Sequence, residues 1–191
     1  METIARAGPA RVVLTGSESV GKTTLAAALA AHYHVRFVPE FVREYASAKG
    51  APLDFRDHGP IAKGQMRLED EYMAQARTDG ALLMIGDTDL TSTVVYCHHY
   101  FGQCPAFIEE AAVARAPDLY LLLDIDVPWT ADGVRDRGDR REELHGLFVA
   151  VLERSPAPVL TISGDWSTRF SAAVRAIDAL LLSFPTSCTD Q

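Results

Sequence analysis

The sequence has few cysteines, a shortage of basic residues and no long apolar run, and each shortage excludes a class of protein. Its three cysteines, Cys97, Cys104 and Cys188, show neither metal-site nor redox-motif spacing, and their odd number suits a reducing compartment. Lysine and arginine number 18 against 26 aspartates and glutamates, which gives a formal net charge of −8. Nucleic-acid binding requires a basic stripe, so we expect no nucleic-acid partner.

Apolar runs are too short to cross a membrane. The longest ones, such as Leu119 to Leu123, fall far below the roughly 20 residues that a transmembrane helix needs. Residues 1–10 contain no apolar stretch of the signal-peptide kind. We therefore predict a cytoplasmic protein without a membrane partner. Since 48% of the 191 residues are hydrophobic, the chain can bury the core of one globular domain.

The most informative stretch fits the phosphate-loop pattern G-x-x-x-x-G-K-[ST] at every fixed position. It comprises Gly16, Ser17, Glu18, Ser19, Val20, Gly21, Lys22 and Thr23. A β-branched apolar run, Arg11 to Thr15, precedes it, and strong helix formers from Thr24 to Ala31 follow it. Strand, glycine loop and helix thus occur in the order that phosphate binding requires, and we predict that the chain binds ATP.

Each part of this loop has an expected role. The glycines allow backbone N–H groups to converge on phosphate oxygens, and the following helix adds a partial positive charge. We expect residues 16–24, including Thr24, to hold the nucleotide, with Lys22 reaching the β- and γ-phosphates. The hydroxyl of Thr23 is the expected Mg²⁺ ligand, so the predicted cofactors are ATP and Mg²⁺.

Apolar strand-like runs alternate with helical stretches along the rest of the chain. Four further strands are predicted at Val35–Val38, Ala81–Ile85, Leu119–Leu123 and Pro158–Ile162, and the clearest helices at Phe41–Ala48, Pro60–Thr78 and Ser167–Ser183. Continuous apolar strands separated by helices predict an α/β protein, a three-layer α/β/α P-loop NTPase fold with five parallel strands. Ligands in such sheets bind at the carboxyl ends of the strands.

Two aspartates follow the third predicted strand. A carboxylate in this position commonly holds Mg²⁺ opposite a phosphate loop, directly or through water. Asp89 also fits the N-cap of a helix over Leu90 to Tyr100, and both readings can hold together. We favour Asp87 for the metal because it comes first after the strand, and we expect both aspartates near the acceptor.

Glu40, which follows the second strand, is a candidate general base. It should lie near the γ-phosphate, where a carboxylate can accept the proton of an attacking hydroxyl. The alternative is a solvated loop glutamate. Arg43, on the next helix, either binds phosphate or acceptor, or pairs with Glu40 or Glu44 at the surface.

A segment dense in aspartate and arginine runs from Trp129 to Arg141. Such a segment is ordinarily a solvated face. In a phosphoryl-transfer enzyme it is also well placed to act as a small arginine-containing lid that closes over ATP. We predict that Arg135, together with Arg140 or Arg141, contacts the phosphates.

Several motifs together resemble the ribosylnicotinamide kinase domain of the bacterial NadR-type NAD-salvage proteins. Besides the phosphate loop they are Pro39 to Tyr45, Ile61 to Gln65, Asp87 to Asp89 and Val127 to Arg135. The phosphate loop is common to many enzymes, whereas the other pieces are far more specific as a set. Their order and spacing match from about Val12 to Phe170.

This resemblance implies that ATP phosphorylates the ribose 5′-hydroxyl of nicotinamide riboside and so forms nicotinamide mononucleotide. Tyr45 would stack on the cationic pyridinium, and so would Trp129 unless it is a core residue or a loop anchor. Asp132 would contact the acceptor. Trp166 or the nearby backbone, after the fifth strand, would contact adenine. Lys22, Glu40, Asp87 and Arg135 form the expected catalytic set. The alternatives are a kinase for another nucleoside, nucleotide or small hydroxyl compound, and an ATPase switch that acts on a protein partner.

The expected domain organisation is a single P-loop kinase domain over residues 1–191. Residues 1–10 would be an N-terminal extension and residues 185–191 a disordered tail. Relatives of this kind often carry an adenylyltransferase domain ahead of the kinase. Because only about ten residues precede the first strand here, we expect no second active site.

Overall fold

The structure is a computed structural model and describes residues 8–127 and 140–184. A five-stranded sheet lies at its centre, with every described strand pair parallel. Its strands are β1 (Ala10–Thr15), β2 (Phe37–Val38), β3 (Leu83–Asp87), β4 (Leu119–Leu123) and β5 (Val159–Ile162). They are ordered β2-β3-β1-β4-β5, which places the strand before the phosphate loop in the middle of the sheet.

Seven α-helices occur in the described residues, in addition to a 3-10 turn at Phe55–Asp57. They are α1 (Lys22–His32), α2 (Phe41–Lys49), α3 (His58–Thr78), α4 (Leu90–Phe101), α5 (Ala106–Ala114), α6 (Arg141–Leu152) and α7 (Trp166–Ser183). None of these helices is both long enough and apolar enough to traverse a bilayer.

Helices cover both faces of the sheet because its strands are apolar on both sides. On one face, α1 and α7 bury Leu25, Leu29 and Ile177 against the sheet. On the other, α4 and α6 pack residues such as Val95 and Phe148 against the same strands. The predicted three-layer α/β/α arrangement and five-stranded parallel sheet are therefore confirmed.

The observed elements differ from the predicted ones mainly where the sequence has weak boundary signals. Helix α5 was not predicted, and neither was the body of α6, since the arginine-rich stretch before it reads as a solvated segment. The second strand is shorter than predicted and keeps only Phe37 and Val38. The predicted lid, the first residues of the N-terminal extension and the tail fall on residues 128–139, 1–7 and 185–191, which lie outside the described residues.

Candidate active site

The phosphate loop joins β1 to α1 through a backbone that only particular residues tolerate. Gly16 has a φ of +131°, and a Cβ there would lie 2.9 Å from the carbonyl oxygen of Leu123. Gly21 has a φ of +89°, and α1 begins at the next residue. The N–H groups of the first turn of a helix have no partner within the helix, so this turn offers an anion-binding site at the loop.

Lys22 lies buried at the start of α1, as a phosphate-binding lysine should. Its Nζ donates hydrogen bonds to the carbonyl oxygens of Gly16 and Ser17, at 2.9 and 2.6 Å. The ammonium group is therefore held against the loop itself. There it can neutralise the charge of phosphate oxygens gathered by the loop N–H groups.

Thr23 and Asp87 meet at the edge of the sheet, because β1 and β3 are neighbours and Leu14 pairs in register with Asp87. The hydroxyl of Thr23 donates to Oδ2 of Asp87 at 2.5 Å. Oδ1 of Asp87 is buried and has no hydrogen-bond partner among the described residues. The Thr23 hydroxyl and the unpaired carboxylate oxygen of Asp87 are the kind of oxygen ligands that Mg²⁺ prefers. The ion takes its remaining ligands from water and phosphate.

No group of three or more histidine, cysteine, aspartate or glutamate side chains that could enclose a metal occurs within residues 8–127 and 140–184. A Mg²⁺ ion at Thr23 and Asp87 would thus depend on the phosphates of the nucleotide for much of its coordination. Burial raises the pKa of Asp87, and the nearby Glu40 carboxylate raises it further, whereas the hydrogen bond from Thr23 and the charge of Lys22 lower it.

Asp89 faces a different environment from Asp87. Its Oδ1 accepts the backbone N–H of Thr91 at 2.9 Å and so caps α4, and its Oδ2 accepts the hydroxyl of Tyr120 at 2.6 Å. Between the two aspartates, Thr88 has a φ of +73°, a strained conformation for a β-branched residue and one that recurs at functional sites. The structure thus gives Asp89 the capping role and leaves Asp87 at the phosphate loop.

Glu40 stands at the N-cap position of α2 and is buried. Its Oε2 lies 3.0 Å from Nε of Arg43, one turn further along the helix. Its charge contributes to the raised pKa of Asp87. Of the alternatives predicted for Arg43, the pairing with Glu40 occurs.

A cavity of about 450 Å³ opens next to Glu40, between α2, α3 and α4. Its wall includes Asp89 and the tyrosines Tyr96 and Tyr100, whose rings stack with centroids 6.0 Å apart. This volume lies within the usual range of small-molecule sites. Sequence reasoning missed these tyrosines, although two aromatic residues four apart on the helix after Asp89 were a readable signal.

A larger cavity of about 700 Å³ lies elsewhere, at the amino-terminal end of β3, where Tyr33, Tyr72 and Leu83 contribute to its wall. Parallel α/β sheets bind their ligands at the opposite edge. The cavity beside Glu40 is therefore the candidate acceptor pocket.

Arg169 of α7 is a further residue that the sequence pattern did not predict to be functional. It is 2% exposed, and its guanidinium donates to the backbone carbonyls of Val20, Gly164 and Asp124, at 2.9, 2.9 and 3.0 Å. It also forms an ion pair with Asp126. A single buried cation thus ties the phosphate loop to the segments that follow β4 and β5.

Other predicted residues lie apart from this cluster. The hydroxyl of Tyr45 donates to Asp57 at 2.9 Å, and Tyr45 does not line the acceptor pocket. Arg140 pairs with Glu143 on α6, and Trp166, the first residue of α7, is 46% exposed. The predictions for Trp129, Asp132 and Arg135 fall outside the described residues.

Comparison with known proteins agrees with this geometry. The AAA domain family matches residues 11–169. The trifunctional NAD biosynthesis/regulator protein NadR of Escherichia coli (strain K12) is 28% identical over 177 residues, which cover 89% of this chain and 42% of that protein. The chain therefore spans less than half the length of this relative. The corresponding protein of Salmonella typhimurium is 27% identical over the same length.

Solved structures show the same fold. A crystal structure of NadR in complex with NR has a TM-score of 0.75 at 23% identity and covers 95% of this chain and 54% of that one. Thymidylate kinase from Candida albicans has a TM-score of 0.65 at 14% identity, over 90% of this chain and 92% of that one. The resemblance to NadR-type proteins and the P-loop fold predicted from the sequence are both confirmed. Its phosphate loop, its sheet order and the family match over most of its length show that the chain belongs to the AAA domain family.

Proposed function

We propose that the protein is a kinase that transfers the γ-phosphoryl group of ATP to the ribose 5′-hydroxyl of nicotinamide riboside. The observation that carries this proposal is the place of Glu40, which lines the candidate acceptor pocket together with Thr88, the residue that follows Asp87. A hydroxyl bound in that pocket would have a carboxylate on one side and the nucleotide phosphates on the other. A nucleotide switch has no need for such a pocket.

Each group of the site has a defined part in the transfer. The loop amides and Lys22 would bind the phosphates, and Thr23 with Asp87 would hold the cation. Bound Mg²⁺ neutralises charge on the phosphate oxygens. Glu40 would accept the proton of the acceptor hydroxyl as its oxygen bonds to the γ-phosphorus, while the bond to the β,γ-bridging oxygen breaks and ADP leaves.

The pocket chemistry favours a cationic aromatic nucleoside. The carboxylate of Glu40 contributes negative charge to its wall, and the stacked rings of Tyr96 and Tyr100 contribute an aromatic face. A pyridinium ring is attracted by both features. The similarity to NadR, one structure of which contains NR, supports the same acceptor.

The test is a coupled assay of ATP consumption with a panel of acceptors. The panel should include nicotinamide riboside, uridine, adenosine, thymidine and thymidine monophosphate, with a reaction that lacks acceptor. We expect nicotinamide riboside to give the highest kcat/KM and nicotinamide mononucleotide to form in equal amount to ADP. Faster turnover of another nucleoside would refute the acceptor, and acceptor-independent hydrolysis alone would refute the kinase.

A further inference from the structure

The ring of Phe41, the first residue of α2, packs directly on Gly64 of α3. A Cβ added to Gly64 would overlap this ring, so a side chain at position 64 would force the ring to move. The glycine therefore allows the Phe41 ring to lie against the backbone of α3.

The residue after Gly64 fixes the same junction through a hydrogen bond. The Oε1 atom of Gln65 accepts the backbone N–H of Phe41 at 2.9 Å. Nε2 of Gln65 lies 3.4 Å from Oε1 of Glu69, and Glu69 is held by Arg11 and Arg115, both at 3.2 Å. Gln65 is 3% exposed and borders the acceptor pocket, but its amide is engaged at both ends, by the Phe41 N–H and by Glu69, so its orientation is set.

This hydrogen bond satisfies an N–H that an N-cap residue does not normally reach. The first N–H groups of a helix lack intrahelical partners, and an N-cap side chain accepts those of the second and third helical residues, not that of the first. Phe41 is the first residue of α2, and its N–H bonds to Gln65 on the neighbouring helix. Glu40, at the N-cap itself, makes no capping hydrogen bond with its carboxylate, which pairs with Arg43.

We propose that Gln65 is a positioning residue that holds the start of α2 from outside and so fixes where the Glu40 carboxylate lies relative to the reacting hydroxyl. This inference rests on the proposed role of Glu40 as general base. It also gives the Ile61-Ala62-Lys63-Gly64-Gln65 motif a function, because Gly64 admits the Phe41 ring and Gln65 supplies the acceptor. Without Gln65, the Phe41 N–H would lose its acceptor, and the backbone that carries Glu40 would be held less firmly.

The test is Gln65→Leu, which keeps the size of the side chain and removes the acceptor. We expect kcat for phosphoryl transfer to fall about tenfold or more, since small misplacements of catalytic groups have large effects on rate, with KM for ATP within about twofold of wild type. In the background of Glu40→Gln, the same change should lower kcat less than about twofold, because residues that act through one another are not additive.

A second measurement does not depend on the acceptor. The backbone N–H of Phe41, followed by NMR hydrogen exchange, should exchange about tenfold faster in Gln65→Leu, since its partner is gone. Gln75→Leu is the matched control, because Gln75 is an exposed glutamine on the same helix whose amide donates to Asp79 at 2.7 Å. It should change neither kcat nor the exchange rate of the Phe41 N–H. If Gln65→Leu folds poorly, Gln65→Met fills the same space with a more flexible side chain.

The outcomes separate the two proposals. A wild-type protein that phosphorylates no riboside would refute the proposed function alone. Unchanged exchange at Phe41 in Gln65→Leu, or a full additive loss of kcat in the double variant, would overturn the positioning role. Faster exchange combined with a non-additive loss of kcat would support it.

Discussion

The hydroxyl of Thr23 donates a hydrogen bond of 2.5 Å to Oδ2 of Asp87, a residue 64 positions further along the chain. The pairing exists because β1 and β3 are adjacent, so that the loop after one strand meets the carboxylate at the end of the other. This contact holds the two proposed Mg²⁺ ligands together in the protein without a bound nucleotide.

Asp87→Asn should lower kcat about a hundredfold and raise the Mg²⁺ concentration that gives half-maximal activity, because an amide binds a hard cation poorly. Thr23→Val should act in the same direction. The measurement is initial rate against Mg²⁺ concentration at saturating ATP. Asp79→Asn, at an exposed position after α3, is the control. An unchanged Mg²⁺ dependence in both variants would contradict the assignment.

Lys22→Ala should lower kcat by about two to three orders of magnitude, since one preorganised charge on the transferring phosphoryl group is lost. The substitution also leaves the carbonyls of Gly16 and Ser17 without their ammonium donor. Steady-state kinetics with ATP and the best acceptor measure the effect. Lys63→Ala, at an exposed position on α3, should retain the wild-type rate.

Tyr100→Leu should raise KM for the acceptor about tenfold and leave KM for ATP unchanged, because the stacked aromatic wall is removed from the acceptor pocket alone. Tyr72→Leu provides a useful comparison, since Tyr72 lines the larger cavity at the other edge of the sheet. A larger rise in acceptor KM for Tyr72→Leu than for Tyr100→Leu would indicate that the acceptor binds in that larger cavity.

Arg169→Met should reduce the free energy of unfolding by about 3 kcal/mol or more, because buried carbonyls and a carboxylate lose their cation. Affinity for ATP should fall as well, since the Val20 carbonyl belongs to the phosphate loop. Chemical denaturation and nucleotide titration test both effects. Arg175→Met changes an exposed arginine of the same helix and should alter neither.

Glu69 predicts a pH dependence of stability. Burial raises the pKa of this carboxyl from 4.5 to about 7, and Asp89 adds to the rise, whereas Arg11 and Arg115 oppose it. The folded protein then binds a proton that the unfolded chain releases, so the stabilisation is complete below pH 4.5 and is lost as the pH rises towards 7.

The measurement is the difference in unfolding free energy between wild type and Glu69→Gln, from urea denaturation at several pH values. The unfolding free energy of the wild type should fall relative to that of Glu69→Gln by up to about 3 kcal/mol between pH 4.5 and 7. Above pH 7 the difference should stay constant. A difference that stays flat over this interval would mean that the two arginines keep Glu69 ionised.

The phosphate loop, the strands and the sheet edge could be predicted from the sequence because their signals are local. The acceptor pocket could not, since Tyr96 and Tyr100 join Glu40 only when α4 packs beside α2 and α3. The sequence pattern also did not decide whether Asp89 binds the metal or caps α4. Its hydrogen bond to Tyr120 distinguishes it from Asp87, which bonds to Thr23.

Arg169 marks the clearest limit of sequence reasoning. In the sequence it is one polar residue in an amphipathic helix, and nothing nearby indicates burial. Its partner Val20 lies 149 positions earlier in the chain, so the contact depends on how α1 and α7 pack on the same face of the sheet.

The same contact forms late in synthesis. The phosphate loop leaves the ribosome early, whereas Arg169 emerges only after all five described strands. A nascent chain that stops before α7 should therefore carry a complete glycine loop whose Val20 carbonyl still lacks its guanidinium donor.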